Sequence, residues 1–212
     1  GQGKFEKVRC TQKTATPGGI CGECEVLILK KIVEATKLRV EAGKALQSLK
    51  ELESQLSQNA DKPRPFAASL KHADRLGLIA EIKKSSPSKG LIAPDFNHRK
   101  VAEIYRDSKA DCLSVLTEPD FFEGELHYLT EARHINGKPC LRKDFIIDEW
   151  QIAEARLAGG DGVLLIAASS AIGKSAVSKP PQNVTAWTHW WKCTTPKKRA
   201  APWRTVAILW VS

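Results

Sequence analysis

Residues 78–90 read LIAEIKKSSPSKG and decide the fold of this chain. The segment begins with apolar residues that favour a short buried strand, and it ends in lysine, serine, proline and glycine, which favour a loop. Glu81 and Lys83 lie two positions apart near the end of the strand, so they share one of its faces. Polar side chains at the end of a buried strand are typical of a parallel α/β sheet, where ligands bind at the carboxyl ends of the strands.

Strands and helices alternate along the chain that follows. This alternation predicts right-handed βαβ units and a parallel sheet, and the apolar run at residues 163–166 suits a strand covered on both faces. Four such units fit either a doubly wound sheet or half of an eight-stranded barrel, and periodicity alone does not choose between them. The predicted strands are Leu78–Lys83, Asp111–Thr117, Pro139–Phe145 and Gly162–Ala167, and the predicted helices are Arg99–Ser108, Glu125–His134 and Glu149–Ala158.

A candidate acid–base site follows from this arrangement. Lys143 lies near the end of the third predicted strand, so it is expected at the same edge of the sheet as Glu81 and Lys83. A carboxylate beside two lysines can exchange protons with them, and burial can bring the pKa of a lysine towards neutrality. A structural ion pair, or exposed lysines on loops, would give the same pattern, and the residues alone leave both interpretations open.

An amphipathic helical region precedes the first strand. Apolar residues keep helical spacing over 29–56, which predicts one long helix or two in succession, and a polar stretch with two prolines ends it. Residues 1–26 lack periodicity and are predicted to be irregular. The closely spaced Cys21 and Cys24 are expected in an ordinary loop, because no second ligand pair accompanies them.

Charge and tryptophan are both concentrated in the tail. The net charge is +9, but seven of the 33 basic residues follow Asp161, the last acidic residue, which leaves 26 basic against 24 acidic residues before it. Five of the six tryptophans lie beyond residue 186. No apolar run is long enough to span a bilayer, and no signal-peptide pattern opens the chain. Scattered cysteines favour a reducing compartment, so we expect a cytoplasmic location.

Four stretches resemble the indole-3-glycerol-phosphate synthase family in order and spacing. The first is residues 78–90, and the helix from Ile28 resembles the family's extra N-terminal helix. The resemblance covers about 27–168 and implies an α/β fold that is a partial (β/α)8 TIM barrel, with four βα units and an irregular C-terminal tail. The expected segments are therefore 1–26, an irregular segment; 27–168, an incomplete barrel domain; and 169–212, a basic Trp-rich tail. The other stretches are LSVLTE at 113–118 with FFEG at 121–124, LRKDFIID at 141–148 and AGGDGVLLI at 158–166.

The family closes the indole ring of 1-(2-carboxyphenylamino)-1-deoxyribulose 5-phosphate in tryptophan biosynthesis, releasing CO2 and water as a carboxy-lyase. The resemblance implies that Lys143 is the general acid at the ribulose carbonyl oxygen and that Lys83 holds the substrate carboxylate. It implies that Glu81 orients the lysines and takes part in proton transfer, and that neither a metal nor an organic cofactor is needed. The implied substrate-binding residues are Ser86 at the polar end and Phe122, Phe145 and Leu164 around the aromatic ring.

The resemblance also identifies what this chain lacks. The family needs strands five to eight, a second catalytic glutamate, an asparagine and a phosphate cradle, and no matching motif follows Ile166. Four strands cannot close an eight-stranded barrel, so the first and fourth are expected to present open edges. We therefore expect the chain alone to be inactive and prone to aggregate unless a partner completes it. Methionine is absent, even at position 1, which fits a fragment, a processed chain or a translated open frame.

The tail is predicted to be out of frame. Tryptophan has the single codon TGG, so a shifted reading from the third base of the Ala186 codon is strongly constrained. It gives Leu, Met or Val, then Asp, a small residue, Leu, Val and Glu, which resembles the family's fifth strand with its catalytic carboxylate. A frameshift near residues 168–175 would also explain the tryptophan-rich composition and the loss of acidic residues. A genuine basic C-terminal extension is the alternative.

Two other functions compete with this interpretation. Ala168–Ser175 loosely fits a P-loop for nucleotide binding, but Pro180 and Pro181 interrupt the helix that would have to bind phosphate. The basic residues 197–199, with nearby tryptophans, could bind nucleic acid, although a disordered basic tail is the simpler explanation. The expected partner is therefore a phosphorylated small molecule, with neither nucleic acid nor membrane, and the oligomeric state stays open.

Overall fold

The computed structural model describes residues 22–59, 61–87, 90–166, 189–192 and 205–210. They form one six-stranded sheet, a two-stranded hairpin and seven helices. The strands are β1 Ile79–Ile82, β2 Ser85–Ser86, β3 Gly90–Leu91, β4 Cys112–Leu116, β5 Cys140–Lys143, β6 Gly162–Ile166, β7 His189–Lys192 and β8 Thr205–Trp210. The helices are α1 Gly22–Leu46, α2 Leu49–Gln58, α3 Phe66–Ser69, α4 His98–Arg106, α5 Pro119–Phe122, α6 Leu126–Asn136 and α7 Glu149–Leu157.

The parallel sheet has the strand order of a barrel. β1, β4, β5 and β6 lie side by side in chain order and pair in parallel. A doubly wound sheet would reverse direction at a switch point, whereas a barrel adds each new strand on the same side. The partial (β/α)8 TIM barrel predicted from the sequence is therefore confirmed. The four predicted strands and three predicted helices are all present, with ends displaced by at most two residues.

The two faces of the parallel sheet carry different layers of the core. On the outer face, Ile82, Leu113 and Val115 pack beneath α4 and α6, together with buried residues of those helices such as Leu129. On the inner face, Phe66 of α3 packs against Cys112 and Leu141, with Leu164 alongside. Burying each large aliphatic or aromatic side chain contributes about 1.5–3 kcal/mol, so the two layers hold the strands in register.

The N-terminal helical region consists of two helices. The helical region is interrupted after Leu46, and Ser48 is the N-cap of α2. The side chains of Ser48 and Glu51 form a reciprocal capping box at this N-terminus. α1 begins at Gly22, so the prediction of an irregular segment is wrong for residues 22–26. The reason is local: Glu23 to Val26 contain neither proline nor glycine, and they extend the helical region that follows.

α2 is fixed to the barrel through α7. Leu52 is buried against Trp150 and Ala153, and the Trp150 indole N–H donates to the carbonyl of Gln47 at 2.7 Å. Both N-terminal helices therefore pack on the helix that follows β5. None of the described helices is long and apolar enough to cross a membrane.

The two edges of the parallel sheet differ. β1 is the outermost strand on one side, as predicted, and the neighbouring side chains of Leu76, Leu78 and Ile79 are exposed. The expected open edge at β6 is wrong, because β8 pairs with it in antiparallel orientation along its whole length. β8 satisfies the backbone N–H and C=O groups that a fifth parallel strand would otherwise take. No helix follows β6 in the part of the chain that is described.

Candidate active site

The site is centred on a carboxylate that bridges two lysines. Glu81 on β1 accepts a hydrogen bond from Lys143 Nζ at 2.8 Å through one oxygen and from Lys83 Nζ at 2.5 Å through the other. Lys83 follows Glu81 by two positions on the same side of the chain, whereas Lys143 reaches it from β5, across β4. The structure therefore brings these three residues together at the carboxyl ends of the strands.

The charges in this cluster are partly screened from water. The side chains of Glu81, Lys83 and Lys143 are 31%, 29% and 36% exposed. Burial alone raises the pKa of Glu81, but hydrogen bonds from Lys143 and Lys83 and the charges of both lysines outweigh it and hold the pKa below its usual range. Glu81 is therefore ionised at neutral pH and holds both ammonium groups beside each other. Charge-assisted hydrogen bonds of this kind are stronger than neutral ones and fix geometry well.

Two phenylalanines form an aromatic pair beside the cluster. Phe145 lies two residues after Lys143, and Phe122 ends α5, the short helix that follows β4. Their ring centroids are 6.3 Å apart with the planes inclined at 37°. Both rings are half-buried, so they can cover one side of a bound aromatic group and still leave space for it.

The remaining predicted contacts flank these groups. Leu164 lies one position beyond Val163, which pairs with Arg142 of β5, so Leu164 is placed beside Lys143 on the next strand. Its half-buried side chain packs on the inner core layer below the site. Ser86 is buried in β2, and β2 packs beside α5, the helix that carries Phe122.

A buried network behind Lys143 was not foreseen from the sequence. The Arg142 guanidinium, on the outer side of β5, lies 3.1 Å from Asp144 and 2.7 Å from Glu154 of α7. Asp144 accepts hydrogen bonds from the Thr117 hydroxyl and the Phe145 N–H, both at 2.8 Å. These contacts fix the residues on both sides of Lys143. The alternation of the LRKDF motif could have predicted this network, because residues next to Lys143 on a strand must point away from the site.

Several sequence predictions fall on residues that the structure does not describe. The P-loop-like Ala168–Ser175, the basic residues 197–199 and Cys21 all lie outside the described ranges. Among the residues that are described, there is no group of three or more histidine, cysteine or acidic side chains that could hold a metal ion.

A sheet of parallel strands in sequential order, with helices between them, defines a barrel-type α/β protein. A sequence model described as indole-3-glycerol phosphate synthase matches residues 29–174. The chain belongs to the indole-3-glycerol phosphate synthase family.

Curated relatives agree with this assignment. Proteins named indole-3-glycerol phosphate synthase from Endomicrobium trichonymphae and Clostridium acetobutylicum are each 47% identical, over 144 and 143 residues. The relative from Neisseria meningitidis serogroup C is 48% identical over 145 residues. Each match covers 67% of this chain but only 54–55% of the relative, so the chain spans about half the length of these proteins.

Proposed function

We propose that the described residues form one half of an indole-3-glycerol phosphate synthase site. The substrate would be 1-(2-carboxyphenylamino)-1-deoxyribulose 5-phosphate, and this half would bind its aromatic, carboxylate-bearing end. The observation that carries the proposal is the position of Glu81 between Lys83 and Lys143, at 2.5 and 2.8 Å, beside the pair of phenylalanines. A cation for the carboxylate, a proton donor and an aromatic wall are the groups that this end of the substrate requires.

In the proposed reaction, Lys143 is the general acid. The ring carbon that bears the carboxylate attacks the ribulose carbonyl carbon, and the carbonyl oxygen takes a proton from Lys143 Nζ as negative charge develops on it. Lys83 holds the carboxylate against the ring during this step. Loss of CO2 returns the electron pair to the ring and restores its aromaticity. Loss of water then completes the indole, with Glu81 taking part in the proton transfers.

The aromatic pair has a separate role in the proposal. Phe122 and Phe145 would hold the substrate ring and exclude water from the place where CO2 departs. Leu164 would extend this wall from the next strand, and Ser86 would contact the polar end of the substrate. The second carboxylate and the phosphate cradle would come from strands that the matched part of this chain does not include.

Completion of the barrel tests the proposal directly. The purified chain is mixed with a separately produced C-terminal half, strands five to eight, of the Neisseria meningitidis relative, and ring closure is followed by the appearance of indole fluorescence. We expect activity only in the mixture. Lys143→Met should lower turnover about 10²–10⁴-fold, the usual contribution of a general acid.

A matched control separates chemistry from a general loss of lysine. Lys50, an exposed residue of α2, should tolerate the change Lys50→Met without loss of activity in the mixture. Ring closure by the chain alone would contradict the half-site, and a fully active Lys143→Met mixture would contradict the role of Lys143.

We also propose that residues 169–212 are translated out of frame. The support is the shifted codon reading at residues 186–193 together with the loss of acidic residues after Asp161. The nucleotide sequence across residues 160–190 is the test. An intact frame that encodes this tail, read on both strands, would instead establish a basic C-terminal extension.

The proposed partner is a phosphorylated small molecule, and the proposed location is the cytoplasm. Cys112 and Cys140 support a reducing compartment, because both are free thiols in the described core. Localisation of the tagged chain by cell fractionation would test this, and recovery in an oxidising compartment would contradict it.

A further inference from the structure

Arg39 connects the N-terminal helix α1 to the turn that carries Phe122. Its guanidinium donates to the carboxylate of Asp120 in α5 and lies 3.2 Å from Glu118, the residue that precedes α5. The same guanidinium donates to the hydroxyl of Thr36 at 3.0 Å, and Thr36 is itself fully buried. Arg39 is therefore held on α1 at one side and by two carboxylates at the other.

Glu118 organises the backbone of the turn. Its carboxylate is 0% exposed and accepts hydrogen bonds from the N–H groups of Asp120 at 3.2 Å, Phe121 at 2.7 Å and Phe122 at 3.1 Å. Burial raises the pKa of Glu118, and the turn N–H groups together with the charge of Arg39 counteract this rise. A buried carboxylate stays ionised only when such partners compensate for its lost hydration.

The turn has little freedom to adopt another shape. Glu123 has a left-handed backbone with φ of 51°, and the N–H of Gly124 donates to the carbonyl of Glu118 at 2.8 Å. A Cβ added at Gly124 would lie 2.5 Å from the carbonyl oxygen of Leu116. The position of Phe122 is thus set by the contacts of Glu118, and the Glu118 carboxylate is itself held 3.2 Å from the Arg39 guanidinium.

We propose that Arg39 is a positioning residue that sets the place of the Phe122 ring opposite Phe145. It acts through Glu118 and does not touch the substrate. The proposal rests on the proposed function in one respect, because the Phe122–Phe145 pair matters for ring binding only if this is the aromatic wall. If Arg39 served only to dock α1, its loss would lower stability and leave the Phe122 ring in place.

The primary test observes Phe122 without any ligand. 4-Fluorophenylalanine is incorporated at position 122 of the full chain, and its ¹⁹F resonance is recorded. Wild type should give one narrow resonance, shifted by the neighbouring Phe145 ring. Arg39→Met should broaden the resonance or move it towards the unfolded value, and Arg39→Lys should restore most of the wild-type signal because the positive charge returns.

Two further variants separate positioning from simple docking. Arg99→Met removes a more exposed helix arginine that also has a carboxylate partner, Glu131 at 3.1 Å, and it should leave the resonance unchanged. Glu118→Gln keeps a hydrogen-bond acceptor but removes the buried charge. In that background, Arg39→Met should add no further change to the resonance, whereas additive effects would overturn the proposal.

Kinetics in the completed barrel provide a second readout. Arg39→Met should raise KM about two- to tenfold, the range expected when one aromatic contact is misplaced, and change kcat less than about twofold. An unaltered ¹⁹F spectrum in a folded Arg39→Met chain would overturn the inference whatever the kinetics. Absence of ring closure in the wild-type mixture would instead count against the proposed function, and the spectra would still decide the role of Arg39. If Arg39→Met does not fold, the Glu118→Gln spectrum carries the test, and a wild-type signal in that variant would overturn the inference.

Discussion

The same parallel sheet carries a charged cluster at each end of its strands, and the two are built differently. At the carboxyl ends, Glu81 lies between two lysines and is about one third exposed. At the amino ends, Asp161 is 0% exposed and lies 2.9 Å from Arg133. We call Asp161, Arg133 and Arg64 the amino-end cluster.

The hydrogen bonds of the amino-end cluster connect segments of the fold that are distant in the chain. Asp161 accepts hydrogen bonds from the backbone N–H of Arg64 at 2.7 Å and of Cys140 at 2.9 Å, in addition to Arg133. The Arg64 guanidinium in turn donates to the carbonyls of Arg133 and Lys138. The cluster therefore joins the segment after α2 to the start of β5 and to the residue that precedes β6, and it fixes the positions of these strand starts.

The comparison shows how two similar sets of charges can be told apart. A lysine ammonium has three donors, and one is enough for Glu81, so both lysines can still donate to a substrate. The Asp161 carboxylate is surrounded by donors and closed to solvent. Partial exposure and spare donors at the carboxyl ends are typical of a ligand site, whereas a fully buried carboxylate with three donors at the amino ends is typical of a structural joint.

Removing the buried carboxylate should have the largest effect. Asp161→Ala removes one of the two carboxylates beside the buried Arg133 guanidinium, the other being Asp61 at 3.1 Å, and it removes the acceptor of two backbone N–H groups. We therefore expect a loss of about 3–5 kcal/mol in the free energy of unfolding. Urea denaturation of the full chain measures it. Glu53→Ala, at an exposed position of α2, should stay within about 0.5 kcal/mol. A loss below about 1 kcal/mol for Asp161→Ala would remove the contrast between the clusters.

At the other end of the strands, the effect should fall on activity. Glu81→Gln removes the charge that holds Lys83 and Lys143, so turnover in the completed barrel should drop about 10²-fold. The unfolding free energy should change by less than about 1 kcal/mol, because partly exposed ion pairs contribute little. A variant that is as active as wild type but much less stable would assign Glu81 to structure.

Arg64→Ala separates the side-chain contacts of Arg64 from its backbone contact with Asp161. This change deletes two side-chain hydrogen bonds to carbonyls but keeps the backbone N–H that binds Asp161. We expect a loss of about 1–2 kcal/mol in unfolding free energy, less than for Asp161→Ala. If the two variants were equally destabilised in urea, the two carbonyl contacts of Arg64 would contribute as much stability as the three contacts of Asp161, which would contradict the expected order.

The smallest expected effect is a pH dependence. The pKa of Glu81 is lowered in the folded state, so its contribution to stability is present above its ordinary pKa and is lost as pH falls through the folded value. The stability difference between wild type and Glu81→Gln should therefore shrink between about pH 6 and about pH 3. With a third of the side chain exposed, the change should be less than about 1 kcal/mol. A difference that grows on acidification would contradict the lowered pKa.

Local sequence patterns located the main strands and helices of the sheet, and they failed where distant segments meet. The positions of Glu81, Lys83 and Lys143 at strand ends indicated a candidate site, whereas the choice of a barrel and the roles of these residues came from the resemblance. The partnership of Arg39 with Glu118 and that of Arg64 with Asp161 have no local signature, because each joins residues far apart in the chain. The pairing of β8 with β6 was likewise not predicted, because β8 is an antiparallel strand that the expected barrel does not contain.

The contact between Arg64 and Asp161 can form only late in the synthesis of the chain. The two residues are 97 positions apart, so the ribosome needs about 5–20 s to produce the second after the first. α2 leaves the ribosome before α7, and during that interval Leu52 has no Trp150 to cover it. The apolar face of α2 is thus exposed to chaperones and proteases until α7 has emerged.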